Sequence, residues 1–179
     1  LGFSRDNLSL LTGTSDAVSQ ERALFADAKY TLFDKLDLGV GLRLYETQLD
    51  GGFKGSGLLV RAENNGQNSD TSSSVKETGV NPRFSAMFHF TDSMSLYASA
   101  AKGFRFGGIN DIPATSSNNV SPTYKSDTLW NYELGLRTDW LDRTLRADLT
   151  VFDIEYKNPI IAQKTKGVLG LPYTSNVSA

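Results

Sequence analysis

The 179-residue sequence contains no cysteine and a single histidine, His89. Without thiols there is no disulfide scaffold, no thiolate metal site and no thiol redox chemistry. No apolar run approaches the roughly 18 residues that a transmembrane helix needs, so a membrane protein of this sequence could only be a β-barrel. An excess of one charge is also missing: 18 Lys and Arg face 20 Asp and Glu. That balance offers no basic surface for nucleic acid. At 39% hydrophobic and 11% aromatic residues, the chain is too apolar for disorder.

What the sequence does contain is period-two alternation, which marks half-buried strands. Five windows carry it: Ala23–Leu32, Asp37–Leu44, Val80–Phe90, Trp130–Arg137 and Leu145–Phe152. Taken together, one side holds 23 positions without a charge, whereas the other holds 22, of which nine are charged. Those nine are Asp27, Lys29, Asp37, Arg43, Arg83, Glu133, Arg137, Arg146 and Asp148. Met94–Phe104 adds a further strand and Tyr173–Ala179 the start of another, giving about seven. No clear strand is legible in Leu1–Gln20.

The connections alternate in length. Phe33-Asp34-Lys35, Thr91-Asp92-Ser93 and Leu141-Asp142-Arg143 are tight and centred on Asp, whereas Asp50–Lys76, Phe106–Ser126 and Asn158–Pro172 are long and polar. Asn64–Ser74 (NNGQNSDTSSS) is low-complexity and is expected to be mobile. Short turns at one end and long loops at the other are the division between periplasmic and extracellular ends of outer-membrane barrels. Aromatics gather at strand ends. Phe33, Phe90 and Trp140 lie near the tight turns, and Tyr45, Phe104, Trp130 and Tyr132 near the long loops, as expected of rings at the lipid headgroup level.

Several windows allow ten or more strand residues, against about 5–6 for soluble strands and 9–11 for a bilayer crossing. The expected fold is therefore all-β: an antiparallel transmembrane β-barrel segment with the uncharged face toward lipid and the nine charged residues toward the lumen. A soluble β-sandwich that binds carbohydrate is the alternative that would alternate in the same way, and it predicts that the apolar faces pack against each other. A passive porin is the other. The chain begins at Leu1 with no signal segment and stops at Ser178-Ala179 inside a polar pattern, so both ends are expected to be cuts, with further strands outside.

Tyr97–Asn110 (YASAAKGFRFGGIN) resembles the strand-and-loop element of TonB-dependent outer-membrane receptors, in which a tyrosine strand runs into Gly-Phe-Arg, Gly-Gly and Asn. Tyr124–Arg137 (YKSDTLWNYELGLR) is similar to the next element of that family, an acidic residue followed by Tyr-Glu-x-Gly and a basic residue. Leu145–Ile161, with Phe152, Tyr156 and Ile160, resembles the strand and outer loop after it. The resemblance implies a partial barrel domain over residues 1–179 of a receptor with about 22 strands. It further implies a bacterial outer-membrane location and active import of a ferric siderophore, cobalamin or a glycan. Its implied partners are membrane lipid, a plug domain of the same full-length chain, TonB acting through that plug, and the small-molecule or metal-chelate substrate. A monomer with no cofactor and no catalysed reaction is expected.

Substrate contact is expected in the long loops, with Phe53, Lys54, Arg61, Phe104, Arg105 and Tyr124 as candidates. Phe33, Phe90, Trp130, Tyr132 and Trp140 are the expected lipid-interface aromatics. Other chemistry finds little support. His89 lies on the polar side of a strand with no partner base in sight, so an ordinary wall residue outweighs a metal or catalytic role. The glycines of Gly103–Gly108 lack phosphate-loop spacing and lead into a loop. The acidic and amide residues of Asn64–Asp70 lack a cation-ligand spacing. The Asn-x-Ser triplets at Asn7, Asn119 and Asn176 carry no weight in a bacterial envelope protein.

Overall fold

A computed structural model describes residues 9–110, 112, 120–166 and 170–177. The chain runs β1 (Thr12–Leu32), β2 (Leu36–Ser56), α1 (Leu58–Glu63), β3 (Ser69–Thr91), β4 (Met94–Arg105), β5 (Gly108–Ile109), β6 (Thr123–Tyr124), β7 (Asp127–Trp140), β8 (Leu145–Lys157), β9 (Ile160–Lys164) and β10 (Pro172–Asn176). Six strands form one antiparallel sheet in the order β1-β2-β3-β4-β7-β8. Among the described residues β5 pairs only with β6, and β9 only with β10. The six main strands are 12 to 23 residues long, beyond the length a bilayer crossing requires.

The sheet is a single layer. Among the described residues only Tyr45 and Val60 are buried hydrophobics, while Leu24, Tyr30, Leu149 and Val151 are each more than 60% exposed. Among the described residues these apolar strand faces pack against nothing, whereas the sandwich reading requires them to pack against each other.

Several expectations need correction. β1 starts at Thr12, inside the stretch where no strand was legible, because Thr12–Gln20 is polar on both faces and carries no one-sided pattern. Asp50–Lys76 is not a simple loop. β2 continues to Ser56, β3 begins at Ser69, and the low-complexity Ser69–Ser74 is laddered against Gly55–Asp50. The tip between them folds into α1, whose first amides, Leu58 and Leu59, donate to the Ser9 and Leu10 carbonyls. Gly57 precedes it at φ 115°, where a Cβ would meet Leu10 backbone at 2.7 Å. The expected seventh strand, Tyr173–Ala179, is β10 over its described part and belongs to a separate hairpin. Asn7, Asn119, Ser178 and Ala179 lie outside the described residues.

The tight turns are as expected. Phe33 and Asp34 take left-handed φ of 52° and 55°, and Leu141, Asp142 and Arg143 take 52°, 52° and 68°. Such angles are uncommon outside glycine, and Asp tolerates them best.

Candidate functional site

Strand register turns the alternation into continuous rows. On the uncharged face, Tyr30, Leu38, Ala86, Ala98, Leu134 and Val151 lie side by side across all six strands, and Leu32, Leu36, Phe88, Leu96, Leu136 and Leu149 form the next row. A third row, Ala28, Val40, Phe84, Ala100 and Tyr132, ends on β8 with Asp153. Phe33 sits in the β1–β2 turn, 88% exposed. Phe90 and Trp140 close the turn ends of β3 and β7, and Trp130 stacks on Tyr132 toward the far end of β7, centroids 5.9 Å apart.

The charged face holds paired groups. Lys29 Nζ lies 3.0 Å from Asp37, which also accepts from Thr31 at 2.6 Å and faces His89 at 3.3 Å. His89 thus joins a local ion-pair cluster, and among the described residues no group of three or more His, Asp or Glu is placed to hold a metal. Arg137 pairs with Asp148 at 3.1 Å and Arg146 with Asp139 at 2.7 Å. Glu133 accepts from Asn131 at 2.6 Å. Asp27, Lys29, Arg83, Ser85, Tyr97 and Glu133 line a concavity of about 500 Å³.

Farther from the tight turns, Arg43 is the hub of an aromatic cluster. It pairs with Glu21, and its guanidinium lies 5.2 Å from the Phe25 ring and 5.5 Å from that of Phe104. Phe104 stacks on Tyr45 at 4.0 Å. The β3–β4 ladder ends at Arg83 and Ala101, three residues short of Phe104. Tyrosines meet glycines directly across paired strands at three places: Tyr45 faces Gly79, Tyr97 faces Gly135 and Tyr124 faces Gly108. In each pair the ring occupies the space a Cβ on the glycine would take, within 2.2–2.4 Å. Small residues beneath rings let cross-strand pairs pack closely.

The six expected substrate contacts do not converge. Phe53 and Lys54 lie on opposite faces of β2, with the Phe53 ring over Gly13 and Lys54 3.6 Å from Asp70. Arg61 is on α1 and bonds Asn68 at 3.0 Å. Tyr124 is in β6. Phe104 and Arg105 belong to the end of β4 rather than to a loop. Arg105 reaches Asp127, the first residue of β7, which is 1% exposed. Asp127 also accepts from the Ile160 amide at 3.0 Å. Burial raises the Asp127 pKa, but the Arg105 guanidinium and the Ile160 and Arg105 amides together outweigh it and hold the carboxyl below the ordinary aspartate value. Glu77 accepts from Gly107 and Ser126, the two ends of the β5–β6 segment, at 3.3 and 2.8 Å. Alternation could not reveal these groups, because their bonds go to loop backbone. The nearest sequence signals are Asn110, which closes the first receptor-like element, and Asp127, the acid near the start of the second.

The family model described as TonB dependent receptor-like, beta-barrel matches residues 2–179. The chain belongs to this family. Among curated relatives, the pesticin receptor of Yersinia enterocolitica is 26% identical over 145 residues, which is 81% of this chain and 20% of that protein. The metal-pseudopaline receptor CntO of Pseudomonas aeruginosa is 29% identical over 99 residues, 55% of this chain and 13% of the relative. The TonB-dependent receptor chain therefore spans about a fifth or less of the curated relatives it matches, and makes up part of a barrel. Two solved structures share its fold. The ferric yersiniabactin uptake receptor FyuA of Yersinia pestis aligns with a TM-score of 0.73 and 22% identity over 93% of this chain and 23% of that one. The ferric-catecholate import receptor Fiu of E. coli gives 0.63 and 14% over 89% and 24%.

Proposed function

We propose that this chain is part of the barrel wall of a bacterial outer-membrane receptor that binds and actively imports a scarce nutrient, a ferric siderophore. The observation that carries the proposal is membership of the TonB-dependent receptor family over residues 2–179. Relatives whose names describe ferric-chelate uptake and metal-chelate reception support the choice of substrate. In this reading the uncharged rows face lipid, and Phe33, Phe90, Trp130, Tyr132 and Trp140 lie at the interfaces. Asp27, Lys29, Asp37, Arg43, Arg83, Glu133, Arg137, Arg146 and Asp148 line the lumen, where they pair with one another and contact a plug domain carried elsewhere in the full-length chain.

Residues 1–179 would then be a partial barrel domain, and the energy for transport would come from TonB acting on the plug. The receptor works as a monomer and catalyses no reaction. Phe53, Lys54, Arg61, Phe104, Arg105 and Tyr124 remain the proposed substrate-side residues, although their contacts with neighbouring strands and loops point to building the rim as well as meeting ligand. A passive porin shares the alternation, and family membership weighs against it.

Deleting the whole gene and supplying iron only as one candidate chelate at a time tests the proposal. Growth should fail on one ferric siderophore and return when the full gene is restored. Unimpaired growth of the deletion strain on every ferric chelate tried would remove the assignment.

A further inference from the structure

The two hairpins outside the main sheet hold each other through a reciprocal pair of asparagines. Asn110, which follows β5 and is 8% exposed, donates to the Thr174 carbonyl at 2.8 Å and accepts from the Thr174 amide at 2.7 Å. Asn176, at the end of β10, does the same to Lys125 beside β6: its Oδ1 accepts from the Lys125 amide at 2.8 Å and its Nδ2 donates to the Lys125 carbonyl at 2.9 Å. Each side chain spends its remaining N–H at home, Asn110 on the Ser121 carbonyl at 2.8 Å and Asn176 on the Asn158 carbonyl at 3.1 Å. A carboxamide offers two N–H donors and an acceptor oxygen, and in both groups each donor and the oxygen is engaged.

Each asparagine mimics the paired N–H and C=O of a β-bridge to a strand it does not belong to. The joined hairpins are fixed to the sheet at two points. Glu77 of β3 holds the Gly107 and Ser126 amides. Asp127 and Arg105 grip both backbone groups of Ile160, the amide at 3.0 Å and the carbonyl at 3.3 Å. Among the described residues neither hairpin holds a buried hydrophobic side chain, and the strands are short: β5 and β6 are two residues each, and β9 and β10 are five. Two-stranded pairs of this size are not stable alone in water.

We infer that Asn110 and Asn176 are positioning residues that make the described strands of the β5–β6 and β9–β10 hairpins one cooperative unit, whose amides gain and lose protection together. A molecule that contacts either segment therefore acts on both, whatever its identity.

Hydrogen exchange read by mass spectrometry on the full-length receptor tests this. In the unsubstituted protein, the amides of Lys125 and Thr174 should be protected and, relative to their intrinsic rates, should exchange at matching rates. Unprotected amides, or rates differing by roughly tenfold or more, would overturn the inference. Asn110→Ala, which removes bonds to Thr174, should raise exchange about tenfold or more at Lys125 as well, although Lys125 is held by Asn176. Asn176→Ala should do the reverse at Thr174, with β1–β2 amides unchanged in both. Effects confined to the residue that lost its own partner would mean two separate loops. Should a variant not fold, the rate match in the unsubstituted protein still decides.

Discussion

Replacing Leu134 by arginine places a cation on the uncharged face halfway along β7. Leu134 is six residues from Trp140, at the turn end of β7. At about 3.3 Å per residue and a tilt of about 40°, that is roughly 15 Å above the turn-side interface, near the middle of an apolar band about 25 Å tall. Its row neighbours are Ala98 and Val151, neither of which can solvate a guanidinium, and it is 47% exposed toward whatever covers the sheet. The expected cost at such depth is ~2–4 kcal/mol. Thr138 shares the face but lies only two residues from Trp140. Arginine there should cost ~0–1 kcal/mol, because the charge reaches the headgroups. Denaturant unfolding of the full-length receptor refolded into phospholipid vesicles measures both. Equal effects at the two positions, or none at Leu134, would refute the lipid assignment of this face, because only a bilayer makes the cost depend on depth.

Two further outcomes follow from particular contacts. Gly135→Ala would put a Cβ within 2.4 Å of the Tyr97 ring, whose hydroxyl lies 2.8 Å from Thr150 Oγ1. A cost of about 1–3 kcal/mol is expected, falling to near zero when Tyr97→Ser is also present, and a double-mutant cycle without coupling would disprove the contact. Asp127→Ala strips partners from Arg105 and from the Ile160 amide, at about 1–3 kcal/mol, read as faster amide exchange at Ile160. Because the Asp127 pKa is depressed in the folded protein, its contribution is complete above the ordinary aspartate value near 3.9 and is lost as pH falls through the folded value. The protection of the Ile160 amide, its exchange relative to the intrinsic rate at each pH, should therefore fall only below about pH 4, and a loss of protection between pH 5 and 7 would contradict the role given to Asp127.

The parts of the fold that were legible in the sequence are those with one-sided solvation. Between the tight turns and the aromatics near Tyr45 and Trp130, one face is apolar and the other polar, so period two appears in the residues themselves and Leu38, Ala86, Leu134 and Val151 could be assigned to one face before any pairing was known. Beyond that zone both faces of β1, β2 and β3 are polar, as in Thr12–Gln20 and Ser69–Ser74, and the ladder continues without leaving a pattern. The rim was hidden for a different reason. Asn110, Asp127, Asn176 and Glu77 act on backbone amides and carbonyls brought together by register and loop closure, and backbone partners have no side-chain signature. The tyrosine–glycine pairs are invisible for a related reason, since Tyr97 and Gly135 are 38 positions apart and meet only once β4 and β7 are adjacent.

The claim that this chain belongs to an active importer is tested most directly by uptake of a radiolabelled ferric siderophore into cells carrying the full gene, with and without an uncoupler that collapses the inner-membrane proton gradient. Uptake that requires the gene and stops with the uncoupler, while surface binding of the chelate persists, is the predicted result. Gene-dependent uptake that continues undiminished after the gradient collapses would identify a passive channel and contradict the account.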